Sequence, residues 1–123
     1  MSPITGIGVD VVDVERFARV MARRPTLLGR LFSDAERANS RGRAESLAAR
    51  FAAKEATWKA MGVGLFSTKY RDIEVVRVAR GAPTLRLVGT AAELARERGI
   101  TTWHISLTHD ANVAQAFVIG ESA

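Results

Sequence analysis

Apolar and small residues crowd positions 4–12 (ITGIGVDVV), a pattern that predicts a buried strand ending near Asp10. Asp13 stands where a helix cap is needed. Val14, Phe17, Ala18 and Met21 then recur at helical spacing, predicting a helix over residues 14–24 that Pro25 stops. Ser33-Asp34-Ala35-Glu36 matches the capping-box pattern and predicts a short helix, followed by a polar loop over residues 39–43. The longest helical signal covers residues 45–61. It is rich in alanine, holds neither glycine nor proline, and ends at Gly62 and Gly64. On a helical wheel Leu47, Phe51, Trp58 and Met61 form one apolar stripe. Glu55 and Lys59 lie one turn apart on its shoulder, and Arg50 and Lys54 along its other edge.

Residues 72–79 alternate as a strand, Arg80-Gly81-Ala82-Pro83 reads as a turn, and residues 84–88 return as a second strand. Thr90-Ala91-Ala92-Glu93 repeats the capping-box pattern and predicts a helix ending at Gly99. Residues 101–108 and 112–119 predict a final hairpin around His109-Asp110-Ala111. Alternation in its first strand puts His104, Ser106 and Thr108 on one side and Trp103, Ile105 and Leu107 on the other. Neither repeat nor linker interrupts this order. The expectation is one domain over residues 1–123, of the α+β class, with a mostly antiparallel sheet packed against a long central helix.

Composition narrows the chemistry. The apolar fraction of 47% suffices for a core, and there is no cysteine, which removes disulfides, thiolate nucleophiles and zinc–sulfur sites. His104 and His109 are the only histidines. Any bound metal must therefore be held mainly by carboxylates, which favours a hard cation such as magnesium or manganese. No apolar run approaches the roughly 20 residues that span a bilayer, and Met1-Ser2-Pro3 lacks the start of a signal peptide. The expectation is a soluble, cytoplasmic protein with no membrane partner.

The net charge of +5 favours anionic partners. Arg16, Arg19, Arg23, Arg24 and Arg30 follow one another with no carboxylate between them. The residues alone leave two readings open there, a solvated helix face or a docking surface. With aromatics at 7%, no Lys/Arg run and no standard motif, a nucleic-acid-binding module is disfavoured.

Three segments carry candidate chemistry. Gly6-Ile7-Gly8-Val9-Asp10 is not a dinucleotide fingerprint, because its glycines lie within the strand and Val11 replaces the third. Asp10 is then a cap or turn residue, or a metal ligand on rigid backbone whose neighbouring glycines let another element approach closely. Glu55 and Lys59 form an ordinary helix pair worth about 0.3–0.5 kcal/mol, or, with Arg50 and Lys54, a grip on phosphates around one metal. His109, where a strand meets a turn, is structural or solvated unless a ligand uses it. No compact Ser-His-Asp arrangement is legible from spacing.

Together, in order and spacing, these segments resemble a known family. Gly6-Ile7-Gly8-Val9-Asp10, then Phe51-Ala52-Ala53-Lys54-Glu55-Ala56 with Lys59-Ala60 and Gly62, then Ile105-Ser106-Leu107-Thr108-His109 and residues 114–119, are similar to bacterial holo-acyl-carrier-protein synthases. These are small 4′-phosphopantetheinyl transferases, and the resemblance covers essentially the whole chain. It implies the fold of that family and transfer of the phosphopantetheine arm of coenzyme A to a serine of apo-acyl carrier protein, releasing adenosine 3′,5′-bisphosphate, in fatty acid biosynthesis. It implies magnesium (or manganese) on Asp10 and Glu55, with Glu55 and Lys59 as catalytic residues. Arg50, Lys54, Lys59 and His109 would line the coenzyme A phosphates, Gly62 to Gly64 would adjoin the nucleotide, and Pro83 would lie near the adenine end. Arg16, Arg19, Arg23 and Arg24 would face the acidic carrier protein. A homotrimer with active sites between subunits is also implied. Ala82 and the bulky Trp58 depart from the family pattern.

Overall fold

The computed structural model describes residues 3–123. Its order is β1 (Ile4–Asp13), α1 (Val14–Arg23), α2 (Leu27–Leu31), α3 (Asp34–Ser40), α4 (Ala44–Met61), a 3₁₀ turn (Tyr70–Asp72), β2 (Ile73–Val76), β3 (Thr84–Leu87), α5 (Gly89–Glu97), β4 (Ile100–Asp110) and β5 (Val113–Ser122). Strands β1, β5 and β4 form one antiparallel sheet in that order, and β2 and β3 form a separate hairpin. The expected α+β class and long central helix are both present.

The glycines of β1 set how closely α4 sits. A Cβ on Gly6 would lie 1.7 Å from the Ala60 carbonyl oxygen, and one on Gly8 would lie 1.8 Å from that of Ala56. Helix backbone therefore rests directly on strand backbone, the close approach that glycine permits. Small residues continue the contact: Ala52, Ala53, Ala56 and Ala60 pack with Ala116 and Val118 of β5. Trp103, Ile105 and Leu107 of β4 turn toward the same core, as their alternation predicts.

Helix α4 is buried on nearly every side, not along one stripe. Its second side meets Ile73 of β2, Ala91 and Ala95 of α5, and Ile100 of β4 through Trp58 and Met61. Phe17, Leu31 and Phe32 cover its first turns. The bulky Trp58 is enclosed, and its indole N–H donates to Thr68 Oγ1 at 2.8 Å. Arg50 and Lys54, expected along the other edge of the apolar stripe, are 4% and 0% exposed.

Capping follows the sequence at most ends. Asp13 accepts from the Arg16 N–H at 2.9 Å, and the Ser33/Glu36 capping box is complete. Gly62 closes α4 in the left-handed conformation, φ 73°. The box expected at Thr90 does not form. Val88 is the cap of α5, while Thr90 turns its N–H and hydroxyl to Asp72 at 2.8 and 2.6 Å. Helix α2 has no side-chain cap at Thr26, which is why no start signal marks it. The strand expected over residues 72–79 is shorter, because the chain turns at once, with Gly81 N–H donating to the Val78 carbonyl. His109 lies inside β4, and the turn falls on Ala111 and Asn112.

The opposite face of the three-stranded sheet is bare. Ile7, Val9 and Val11 of β1 are exposed there, and Val9 pairs with the half-exposed Phe117. Among the described residues no helix is long and apolar enough to cross a membrane.

Candidate functional site

Asp10 points from β1 toward α4, on the same strand face as Gly6 and Gly8. Facing it from α4 comes Glu55. Although 45 positions apart, both carboxylates line one cavity of about 280 Å³ with Val12, Arg16, Phe17 and Phe51. Lys59 Nζ donates to Asp10 Oδ1 at 3.0 Å and to the Val9 carbonyl at 3.1 Å. Tyr70 donates its hydroxyl to Glu55 Oε2 at 2.9 Å. Asp10 Oδ2 is buried and has no partner.

Burial, and next the facing charge and hydrogen-bonding reach of Asp10, push the Glu55 carboxyl above its ordinary value against the Tyr70 hydrogen bond. Two acids turned toward each other, one with an orphaned buried oxygen, suit a shared proton or a divalent cation. Among the described residues no third Asp, Glu or His joins them. Two protein ligands fit magnesium, which keeps most of its positions for waters and phosphate oxygens.

The electrostatics make a stability prediction. The native state holds the Glu55 proton more tightly than the unfolded chain does. That contribution is complete below about pH 4.5 and is lost as pH rises through the raised native value. At neutral pH without metal the partly buried Glu55 charge therefore strains the fold. Glu55→Gln keeps an acceptor for Tyr70 and removes the buried charge along with its repulsion from Asp10. Its metal-free melting temperature should exceed wild type at pH 7.5 and converge with it near pH 4. Differential scanning calorimetry at both pH values checks this.

A second cavity, of about 900 Å³, lies elsewhere on the same chain. Arg41, Arg43, Arg50, Arg77, Arg80 and His109 are among its lining residues. The Arg50 guanidinium donates to the Ser46 hydroxyl and carbonyl, and its Nε–H is buried without a partner. Arg50 and His109 thus meet each other but not Asp10 and Glu55. Sequence reasoning missed Arg77 and Arg80, which the β2–β3 connection delivers, and Arg41 and Arg43, which precede α4. The cluster of arginines flanking Gly81 was the available signal. Tyr70 was missed as well, and nothing in its local pattern marks it.

Lys54 requires a correction. Its ammonium donates to Glu36 at 2.8 Å, to the Tyr70 carbonyl at 3.0 Å and to the Ile73 carbonyl. All three of its protons are committed inside the core, so none is left for a phosphate. Gly62, Gly64 and Pro83 line neither cavity. Arg16 lines the carboxylate cavity, while Arg19, Arg23 and Arg24 are exposed at α1 and its end.

Residues 6–118 match the family model described as the 4′-phosphopantetheinyl transferase superfamily. The chain belongs to that superfamily. Within it, the chain is similar to the holo-[acyl-carrier-protein] synthases of Clavibacter michiganensis, 53% identical over 118 residues and 96% of each chain, and of Streptomyces coelicolor, 50% identical over 123 residues, with 96% of this chain and 98% of the relative covered. Among solved structures it resembles the Helicobacter pylori synthase in complex with coenzyme A (TM-score 0.84, 30% identity, 93% of this chain and 98% of that one). The acyl carrier protein synthase of Mycobacterium tuberculosis is 37% identical, with TM-score 0.79, over 98% and 100% of the two chains. The family resemblance drawn from three short segments therefore holds across nearly the full length of this superfamily member.

Proposed function

We propose that the chain transfers the 4′-phosphopantetheine arm of coenzyme A to a serine of apo-acyl carrier protein, giving the holo form and adenosine 3′,5′-bisphosphate. It acts as one transferase domain, in the cytoplasm, in fatty acid biosynthesis. Superfamily membership supports the reaction class, and the meeting of Asp10 with Glu55 is the observation that carries the site. In the transfer, the serine oxygen forms a bond to the β-phosphorus while the bond from that phosphorus to the bridging oxygen breaks. Glu55, with Oε2 held by Tyr70 and its carboxyl pushed above its ordinary value by burial, or a water held at the carboxylate pair, takes the serine proton. Lys59 stabilises charge on the departing phosphate. Asp10 and Glu55 would hold magnesium or manganese, which when bound neutralises pyrophosphate oxygens.

Arg50 and His109 sit in the basic cavity, away from the carboxylates. That separation supports a complete site built from two copies, the acids and Lys59 from one and the arginines and His109 from its neighbour. The bare apolar sheet face supports the same reading, and a head-to-tail interface of this kind closes into a ring. A homotrimer is the assembly proposed. Arg16, beside the carboxylates, with Arg19, Arg23 and Arg24 leading away along α1, is proposed to dock the acidic carrier protein by steering.

The test is direct. Magnesium, coenzyme A and apo-acyl carrier protein are incubated with the chain, and the carrier is followed by mass for the gain of one phosphopantetheine. Wild type should transfer, and Asp10→Ala and Glu55→Ala should each lose at least about 100-fold while remaining folded. Full activity in either variant would remove the site. Phosphate release without transfer would indicate a phosphohydrolase instead. Raising salt at limiting carrier should slow transfer, and indifference to salt would remove the docking role of α1.

A further inference from the structure

Tyr70 is held at both ends by adjacent residues of one helix. Lys54 donates to its carbonyl at 3.0 Å, and Glu55 accepts from its hydroxyl at 2.9 Å. The Ile73 N–H donates to the same carbonyl. Its ring is packed on three sides: stacked on Phe51 at 5.4 Å, tilted against Trp58 at 4.6 Å and edge-on to Phe66 at 5.9 Å. These contacts direct the half-buried ring so that its hydroxyl ends on Glu55. Burial, and next the Glu55 carboxylate, push the phenol above its ordinary value, so it remains a donor.

A carboxylate at the end of a three-torsion side chain would otherwise turn freely about its last bond. With Oε2 engaged, Glu55 keeps its plane and leaves Oε1 for a ligand on the side of Asp10. The anchoring begins in the core. Glu36 holds Lys54 with both charges fully enclosed, and Lys54 holds the 3₁₀ turn that carries Tyr70. From this we infer that Tyr70 is a positioning residue of the transfer site. Its hydroxyl fixes the Glu55 carboxylate beside Asp10 and so sets how tightly the pair binds a divalent cation. This rests on the proposed reading that Asp10 and Glu55 are the metal ligands.

Tyr70→Phe keeps the ring and removes only the hydroxyl. Partners of metal ligands typically tune affinity by about 10–100-fold. In the full-length chain, Mn²⁺ affinity measured by electron paramagnetic resonance of the free ion should weaken about 10-fold. Transfer at limiting metal should fall in parallel and recover with excess metal, and the KM for coenzyme A at saturating metal should stay unchanged. Asp10→Ala serves as the reference. Mn²⁺ affinity lost in Asp10→Ala but wild-type in Tyr70→Phe would overturn the positioning role alone. Wild-type affinity in both variants would overturn the metal site and this role with it. A lowered melting temperature in Tyr70→Phe with unchanged Mn²⁺ affinity would make the residue merely structural and also overturn the role.

Discussion

Gly8→Ala should destabilise the protein by on the order of 4 kcal/mol, enough to leave most of it insoluble. The added Cβ would fall 1.8 Å from the Ala56 carbonyl oxygen and 2.7 Å from its carbon. A side chain in the way can rotate. Helix backbone cannot, so α4 must move off β1 as a body. That motion opens the seam between Ala52, Ala53, Ala56 and Ala60 and the β5 residues Ala116 and Val118. Set against a total stability of about 5–15 kcal/mol for a domain, this is a large fraction. It also separates Glu55, one residue before Ala56, from Asp10, two residues after Gly8. Under the proposed reading of that pair as metal ligands, any soluble fraction should lose divalent-metal affinity as well as stability. Gly64→Ala is the control: a Cβ there meets nothing within 4 Å, and its cost should stay within about 0.5 kcal/mol. Urea unfolding of both variants decides the matter, and a Gly8→Ala stability within about 1 kcal/mol of wild type would contradict the close approach.

The same seam explains how far the sequence could be read. Glycines inside an apolar strand say that backbone approaches backbone, and an Ala-rich helix is the element able to do so. Strand, helix and their contact were thus legible from residues 4–12 and 45–61. The Asp13 cap, the Ser33/Glu36 box and Gly62 were equally local, since each depends on groups within four positions. What failed depended on partners far along the chain. Thr90 looked like a cap until Asp72, 18 positions earlier, competed for its N–H and hydroxyl. Lys54 looked like a surface cation because a helical wheel assumes a wet side, and α4 has almost none. Its true partner, Glu36, sits in a capping box whose sequence logic says nothing about what else that carboxylate binds. In the candidate site, Asp10, Glu55 and Arg50 were found through the family pattern, whereas Tyr70, Arg41, Arg43, Arg77 and Arg80 were not. Those residues are brought in by the β2–β3 connection and by the turns before it, whose positions follow from packing and not from periodicity.

Lys54 gives the second large prediction, because its two readings call for opposite phenotypes. Glu36 is fully buried and spends Oε1 on Lys54 and the Ser33 N–H, and Oε2 on the Val75 N–H. Lys54→Met would fill the volume but leave that carboxylate without its countercharge. It would also leave the Tyr70 and Ile73 carbonyls without the ammonium. Breaking one side of a buried pair costs about 3–5 kcal/mol, and urea unfolding should show a loss in that range. Glu36→Gln added to Lys54→Met removes the stranded charge, so the double variant should be more stable than Lys54→Met alone. Burial holds the Lys54 ammonium below its ordinary value against the pull of Glu36. A lysine that gripped coenzyme A would behave the other way. Its methionine variant would fold normally and show a raised KM for coenzyme A, with no relief from Glu36→Gln. That pattern would return Lys54 to the phosphates and remove the anchored path from Glu36 to Tyr70.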